Sequence, residues 1–119
     1  MIQTCDAAVA LIDRATLLDR VGDDEALLVE ITNIFLEELP GMLNEIRSAV
    51  ECGDAKRLEH SAHTLKGSVS NFGARSATQA AFELESIGQQ RRMHEARAAY
   101  SALEGEFDVL RPALLSLVA

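Results

Sequence analysis

A short segment near the middle of the chain combines a histidine, a lysine and a glycine at spacings that suit chemistry at an imidazole ring. Lys66 follows His63 by three residues, and Gly67 follows it by four. Neutral imidazole is a competent nucleophile near neutral pH, because its unperturbed pKa is about 6.5. An ammonium group three residues further along a helix lies on a neighbouring part of the same surface. These residue types therefore indicate nucleophilic chemistry at His63, with Lys66 placed to steady an anionic group such as a phosphoryl group on the ring.

The helix that must position these residues is predicted from Asp54 to about Asn71. At 3.6 residues per turn, its apolar residues fall on one stripe that suits the core of a bundle. That stripe consists of Ala55, Leu58, Ala62, Leu65, Val69 and Phe72. His63 lies off the stripe, on a polar surface. The other residues of this surface are Lys56, Glu59, His60, Lys66, Gly67 and Ser70.

Gly67 is unexpected in the middle of a helix, where glycine costs about 1 kcal/mol relative to alanine. Helical side chains lean toward the N-terminus, so a side chain at position 67 would lie over the turn that carries His63. Glycine leaves the imidazole uncovered. The alternative is that Gly67 permits close packing of another helix, but its position away from the apolar stripe favours the open-access role.

The surface around His63 is predicted to be locally basic. Four basic residues lie between positions 56 and 75, against the single acidic residue Glu59. These basic residues are Lys56, Arg57, Lys66 and Arg75. Such a patch would favour an anionic group close to His63.

The rest of the chain is interpreted as consecutive helices separated by short breaks. The predicted helices begin with two short ones, from Asp6 to Ile12 and from Thr16 to Val21. A long one then starts at Asp23 or Asp24 and stops at Gly53, with Pro40 kinking or ending it. After the histidine helix, two more are predicted over about 74–87, ended by Gly88, and about 92–117, bent by Pro112. We therefore predict an all-α fold, an antiparallel four-helix bundle with additional short N-terminal helices, as one domain over residues 1–119.

Composition and charge exclude several function classes. The chain has 119 residues, and 19 acidic against 11 basic residues give a net charge of −8, which argues against DNA, RNA or an anionic membrane as the main partner. No apolar run approaches membrane-spanning length, and the N-terminus lacks the pattern of a signal peptide. Cys5 and Cys52 are far apart and lack the spacing of metal ligands. We expect a cytoplasmic, monomeric protein with reduced thiols.

The stretch from His63 to Ala74 resembles the signature of histidine-containing phosphotransfer (HPt) domains. Its skeleton is His-x-x-Lys-Gly, five further residues and then glycine, here His63, Lys66, Gly67 and Gly73. A weaker likeness covers about residues 17–117. The resemblance implies a four-helix bundle that carries an exposed, phosphorylatable histidine, as in a two-component phosphorelay.

Carried over by position, the resemblance makes His63 the phospho-acceptor, Lys66 a stabilising positive group and Gly67 the residue that leaves space for a partner. Glu85 stands where related domains often place a glutamine or glutamate near the imidazole. The expected docking face consists of Lys56, Glu59, His60 and Ser70. The implied partners are receiver domains of response regulators, together with a sensor histidine kinase or hybrid kinase.

The chain offers no Walker loop and no G-x-G-x-x-G, so we expect a phosphoryl carrier without an ATP site of its own. We expect no bound cofactor, and the resemblance implies that Mg²⁺ comes from the partner receiver domain. Whether such a carrier counts as an enzyme stays open.

Three alternatives remain from the sequence. His60 and His63 could together hold a metal ion, although their order is not that of known zinc motifs and no further ligand is evident beyond Glu59 or Glu95. The bundle could be a scaffolding module that is never phosphorylated. The same module could instead belong to a chemotaxis-type or hybrid sensor kinase and receive phosphate from a kinase core. His94 lacks a following Lys-Gly pair, which makes it an unlikely second acceptor.

Overall fold

The computed structural model describes residues 12–119, and within them all regular structure is helical. The short helix α1 spans Arg14–Arg20, and the four longer helices are α2 Glu25–Cys52, α3 Ala55–Ser70, α4 Arg75–Gln89 and α5 Ala96–Val118. A single 3₁₀ turn, Met93–Glu95, leads into α5. Helices α2 to α5 form the predicted four-helix bundle. The predicted helix from Asp6 to Ile12 lies almost wholly outside the described residues.

The helices start and stop where local chemistry favours it. Asp24 and Asp54 act as N-caps of α2 and α3, since their carboxylates accept hydrogen bonds from the backbone N–H of Leu27 and Arg57. Gly53 ends α2 with φ at 67°, a left-handed conformation that glycine adopts at little cost. Asp13 caps α1, so this helix begins two residues earlier than the predicted start at Thr16.

The core lies between the four long helices and matches the predicted stripe on α3. Leu58, Ala62, Leu65 and Val69 are completely buried. At one end of the core, the ring of Phe35 lies 5.1 Å from that of Phe72 and 6.5 Å from that of Phe107 (centroid to centroid). Burial of these apolar side chains is the dominant force that holds the bundle together. It also fixes which face of α3 remains outside.

Neither proline ends its helix. Pro40 lies inside α2 and Pro112 inside α5. The sequence predicted that Pro40 would either kink its helix or end it, and the second of these alternatives is wrong. Proline removes one backbone hydrogen bond and costs about 3 kcal/mol in a helix interior. Here Leu39 and Ile46 are fully buried on the two sides of Pro40, while Pro40 itself is exposed. The packing of the flanking turns outweighs that cost.

The sequence predicted that Gly88 would end α4 after Ile87. The helix continues to Gln89, and Gly88 is buried inside it. The last helix also begins later than predicted, at Ala96 rather than about Arg92, because Met93–Glu95 form the 3₁₀ turn.

A hydrogen bond connects the short helix α1 to the bundle. Arg20 on α1 donates a hydrogen bond from its guanidinium Nη1 to the backbone oxygen of Asn71, at 3.1 Å, which holds α1 at the end of α3.

Among residues 12–119, no helix combines the length and the apolar character needed to cross a bilayer.

Candidate functional site

His63 lies on the outer face of α3, next to α4. Its side chain is 64% exposed, whereas its neighbour Ala62 is completely buried. The α3 stripe faces inward, so the next residue along the helix must point about 100° away from it. The ring is therefore accessible to another molecule.

Glu85 on α4 contacts the His63 ring directly. Its Oε2 lies 2.9 Å from Nδ1 of His63. An ionised carboxylate can only accept hydrogen bonds, so the proton of this contact belongs to Nδ1. The neutral ring then carries its free lone pair on Nε2, on the side away from Glu85. Sequence reasoning alone had not paired the two residues, because they are 22 positions apart; only the resemblance did so.

Lys66 completes the cluster from one turn further along α3. Its Nζ lies 2.7 Å from Oε1 of Glu85, the oxygen that His63 does not use. This contact is an ion pair between the two side chains. The same Nζ lies 5.2 Å from the ring centre of Phe82, within cation–π range. The ammonium is thus held between a carboxylate and an aromatic face.

The environment of Glu85 keeps it ionised. Its side chain is only 17% exposed, and this burial, the largest single influence, raises the pKa. The contacts with Lys66 and His63 act in the opposite direction and together prevail, so the pKa of Glu85 lies below its ordinary value. The acceptor of the Nδ1 proton is therefore a carboxylate at neutral pH.

Gly67 leaves open space beside this cluster. The residue is exposed, and a Cβ built there would meet no atom within 4 Å. Gly67 is therefore not a packing glycine. One turn before it, the exposed ring of His63 has a clear approach.

A family model for the Hpt domain matches residues 30–113, more than two thirds of the chain. The chain belongs to the Hpt domain family. No curated protein and no solved structure gives a significant match. The match includes the whole of α3 and α4 and leaves out α1, so it is shorter than the likeness expected over residues 17–117.

Family membership explains why the signature lies where it does. Hpt domains transfer phosphoryl groups through a histidine in two-component phosphorelays, where they interact with receiver domains and kinases. In this Hpt domain the signature occupies the exposed side of α3, and Gly73 adopts φ of 69° in the turn that reverses the chain into α4. That turn brings Glu85 back alongside His63.

The surface around His63 in this Hpt domain is closer to neutral than the sequence suggested. Arg57 is engaged by Glu45 of α2, with Nη2 3.0 Å from Oε2, and Lys66 is engaged by Glu85. Both acidic partners come from other helices. The predicted basic patch counted residues along one stretch of chain and therefore missed them. Lys56 forms no ion pair within residues 12–119.

The expected docking residues only partly come together. Lys56, Glu59 and His60 line a shallow depression with His63 and Glu85. Ser70 lies outside it, near the end of α3, where its hydroxyl donates to the backbone oxygen of Gly67 at 2.9 Å.

The described residues give no support to a metal site at His60 and His63. Within residues 12–119, no three side chains of histidine, cysteine, aspartate or glutamate are grouped so that they could hold a metal ion. His94 is on the 3₁₀ turn, with its side chain 80% exposed, and its Nε2 lies 3.5 Å from Oε2 of Glu95.

Two residues near the site in this Hpt domain were given no site role from the sequence. Phe82 had no assigned role, although it lies three residues before Glu85 on the same helix face. It is 46% exposed, which is unusual for so large an apolar side chain. Gly88 was assigned to the end of a helix. No signal within a single sequence shows what another helix places against it.

Proposed function

We propose that this Hpt domain carries a phosphoryl group on Nε2 of His63 and exchanges it with the aspartate of receiver domains. The observation that carries the proposal is the 2.9 Å contact between Nδ1 of His63 and Glu85. It occupies one ring nitrogen with a proton and leaves the other as an exposed nucleophile. The role of each side chain follows from that assignment.

In the forward step, the lone pair of Nε2 attacks the phosphorus of an aspartyl phosphate. The Nε2–P bond forms while the bond from phosphorus to the aspartate oxygen breaks, which returns a free carboxylate to the receiver domain. The ring keeps its proton on Nδ1 and becomes positively charged. The carboxylate of Glu85 stabilises that charge. In the reverse step, the receiver aspartate attacks the phosphorus and the Nε2–P bond breaks.

Lys66 has two functions in this scheme. Its charge helps to keep Glu85 ionised. Its ammonium and the His63 ring contact the two oxygens of the same carboxylate, and from there the ammonium serves a phosphoryl oxygen on the ring. Its contact with Phe82 limits how far the flexible side chain can swing. Gly67 leaves the space through which the receiver domain approaches.

The described residues provide a nucleophile and an orienting carboxylate, which is what a carrier needs. Phosphoryl transfer also requires charge neutralisation and an acceptor carboxylate. In this proposal the receiver domain supplies the aspartate and the Mg²⁺. The relay operates in the cytoplasm with a monomeric Hpt domain.

The test is transfer from a phosphorylated receiver domain to the purified chain. We expect acid-labile, alkali-stable label on the wild type and none on His63→Gln, while His60→Gln and His94→Gln keep it. A parallel reaction with ATP and a histidine kinase core, without receiver, distinguishes the source of phosphate. Label in that reaction alone would assign the chain to a kinase-fed module. Absence of label in both would leave a scaffolding role.

A further inference from the structure

Gly88 lies where α3 and α4 come into direct backbone contact. A Cβ built on Gly88 would lie 2.6 Å from the backbone N of Glu59, 2.7 Å from the backbone O of Ala55 and 3.0 Å from Cα of Glu59. All three are main-chain atoms near the start of α3, so no side-chain rotation relieves the clash. The other helical glycines of residues 12–119 have nothing within 4 Å of a built Cβ; they are Gly41, Gly67 and Gly105.

This close approach lies beside the contact between Glu85 and His63. Glu85 precedes Gly88 by three residues, about 4.5 Å along α4, and His63 follows Glu59 by four, about 6 Å along α3. The two helices run in opposite directions, so the pair Gly88–Glu59 and the pair Glu85–His63 are successive contacts across one interface. The separation of the helices at Gly88 therefore sets how far the Glu85 carboxylate is from the imidazole.

We propose that Gly88 is a positioning residue, whose missing side chain lets α4 approach α3 closely enough for Glu85 to hold Nδ1 of His63. The proposal rests on the function proposed for His63 above. Glycine is the poorest helix former after proline. Its presence in the last turn of α4 is explained by the backbone of α3, which occupies the space where a side chain would lie.

A single methyl group at position 88 would disturb this arrangement. Ordinary contacts of a Cβ begin near 3.4 Å, and the nearest backbone atom lies at 2.6 Å, so α4 must retreat by about 0.8 Å at this point. A hydrogen bond of 2.9 Å lengthened by that amount leaves the normal range. His63 and Lys66 are both on α3, and Lys66 pairs with the other oxygen of Glu85 at 2.7 Å, so a retreat of α4 strains both contacts of Glu85 together. We therefore expect the hydrogen bond to Nδ1 to weaken in Gly88→Ala.

The experiment compares the protonated nitrogen of the His63 ring in ¹⁵N-labelled wild type and Gly88→Ala by long-range ¹H–¹⁵N correlation, near pH 8. Wild type is expected to show the Nδ1–H tautomer, whereas histidine in water prefers Nε2–H. In Gly88→Ala the ratio of Nδ1–H to Nε2–H falls by at least about threefold, as expected for a weakened charge-assisted hydrogen bond at a partly exposed site. Glu85→Ala, which lacks the carboxylate, defines the tautomer ratio when this hydrogen bond is completely lost.

Three controls separate positioning from general destabilisation. Gly105→Ala adds the same methyl group to a helix where nothing contacts it, and it keeps the wild-type ratio. Leu114→Ala removes buried apolar volume from α5, and this variant also keeps the wild-type tautomer ratio. Gly88→Ala is made again in the Gly105→Ala background, which adds helix stability.

A folded Gly88→Ala protein with the wild-type tautomer ratio would overturn the proposal. Failure of the double variant to fold would also overturn it, because Gly88 would then serve the bundle as a whole. The readout needs no phosphate. If Gly88→Ala loses the Nδ1–H tautomer but the chain never accepts phosphate, the positioning role stands and the proposed function fails. If the tautomer is unchanged and the chain does accept phosphate, the proposed function stands and the positioning role fails.

Discussion

Glu85 on α4 accepts a hydrogen bond from Nδ1–H of His63 on α3, with 2.9 Å between Oε2 and Nδ1. The contact makes the two nitrogens of one ring chemically distinct. It also joins an exposed residue of α3 to a residue of α4, so the length of the contact depends on how the two helices pack.

Replacing His63 tests whether it alone carries phosphate. His63→Gln should abolish acid-labile phosphate and change the free energy of unfolding by less than about 0.5 kcal/mol, because the side chain is largely exposed. Transfer from a phosphorylated receiver and thermal unfolding of the same preparation measure both. Label that persists at His60 or His94 would contradict the assignment.

Replacing Lys66 tests its charge, and Lys56, the only other lysine, provides a matched control. Lys66→Ala should shorten the lifetime of the phosphohistidine by about threefold to tenfold, a range set by the ~1 kcal/mol of a solvent-accessible ion pair. Lys56→Ala should leave the lifetime unchanged, since that lysine has no partner among the described ion pairs. The lifetime is measured on the isolated chain, which excludes effects on docking. Equal lifetimes in both variants would reduce Lys66 to a solvated side chain.

Gly67→Gln should separate stability from activity. The free energy of unfolding should rise by roughly 0.5–1 kcal/mol, because glutamine is a better helix former and position 67 is open. Transfer should fall sharply, because the side chain leans toward the turn of His63 and fills the approach path of the receiver. Gly105→Gln, in open space on α5, should gain the same stability and keep transfer. A Gly67→Gln protein that transfers normally would refute the access role.

The ionisation of Glu85 predicts a pH dependence of stability. Because the pKa of Glu85 is lower in the folded chain than in the unfolded one, its stabilising contribution is fully present above the unfolded value. It is lost as the pH falls through the folded value. The difference in unfolding free energy between wild type and Glu85→Gln should shrink as the pH falls below about 4.5, with a size under ~1 kcal/mol because the cluster is partly solvated. Denaturant unfolding from pH 3 to pH 8 measures it, and a constant difference throughout would show that Glu85 is not shifted.

The exposed position of His63 could be predicted because the period of α3 is strong. Its apolar residues recur every three or four positions, and Asp54 marks its start, so local sequence alone defines the buried face. The ion-pair partners of the charged residues on the other side of α3 could not be derived in the same way. Glu45 and Glu85 reach Arg57 and Lys66 from other helices, and their positions depend on how the bundle packs.

The errors at Pro40 and Gly88 have the same physical origin. Both residues disfavour helix locally, and local preference predicted a break or an end at each. In the bundle, the buried turns on either side carry α2 through Pro40, and the backbone of α3 fills the space beside Gly88. Tertiary packing outweighs propensities of about 1–3 kcal/mol.

The pairing of Lys66 with Glu85, and of Arg57 with Glu45, has an energetic consequence for the relay. A phosphoryl group adds between one and two negative charges at neutral pH. It arrives beside a lysine that already pairs with Glu85, so Lys66 adds only modest electrostatic stabilisation to the loaded state. Under the proposed function, the phosphoryl group is then easily passed on, which suits a relay point rather than a store.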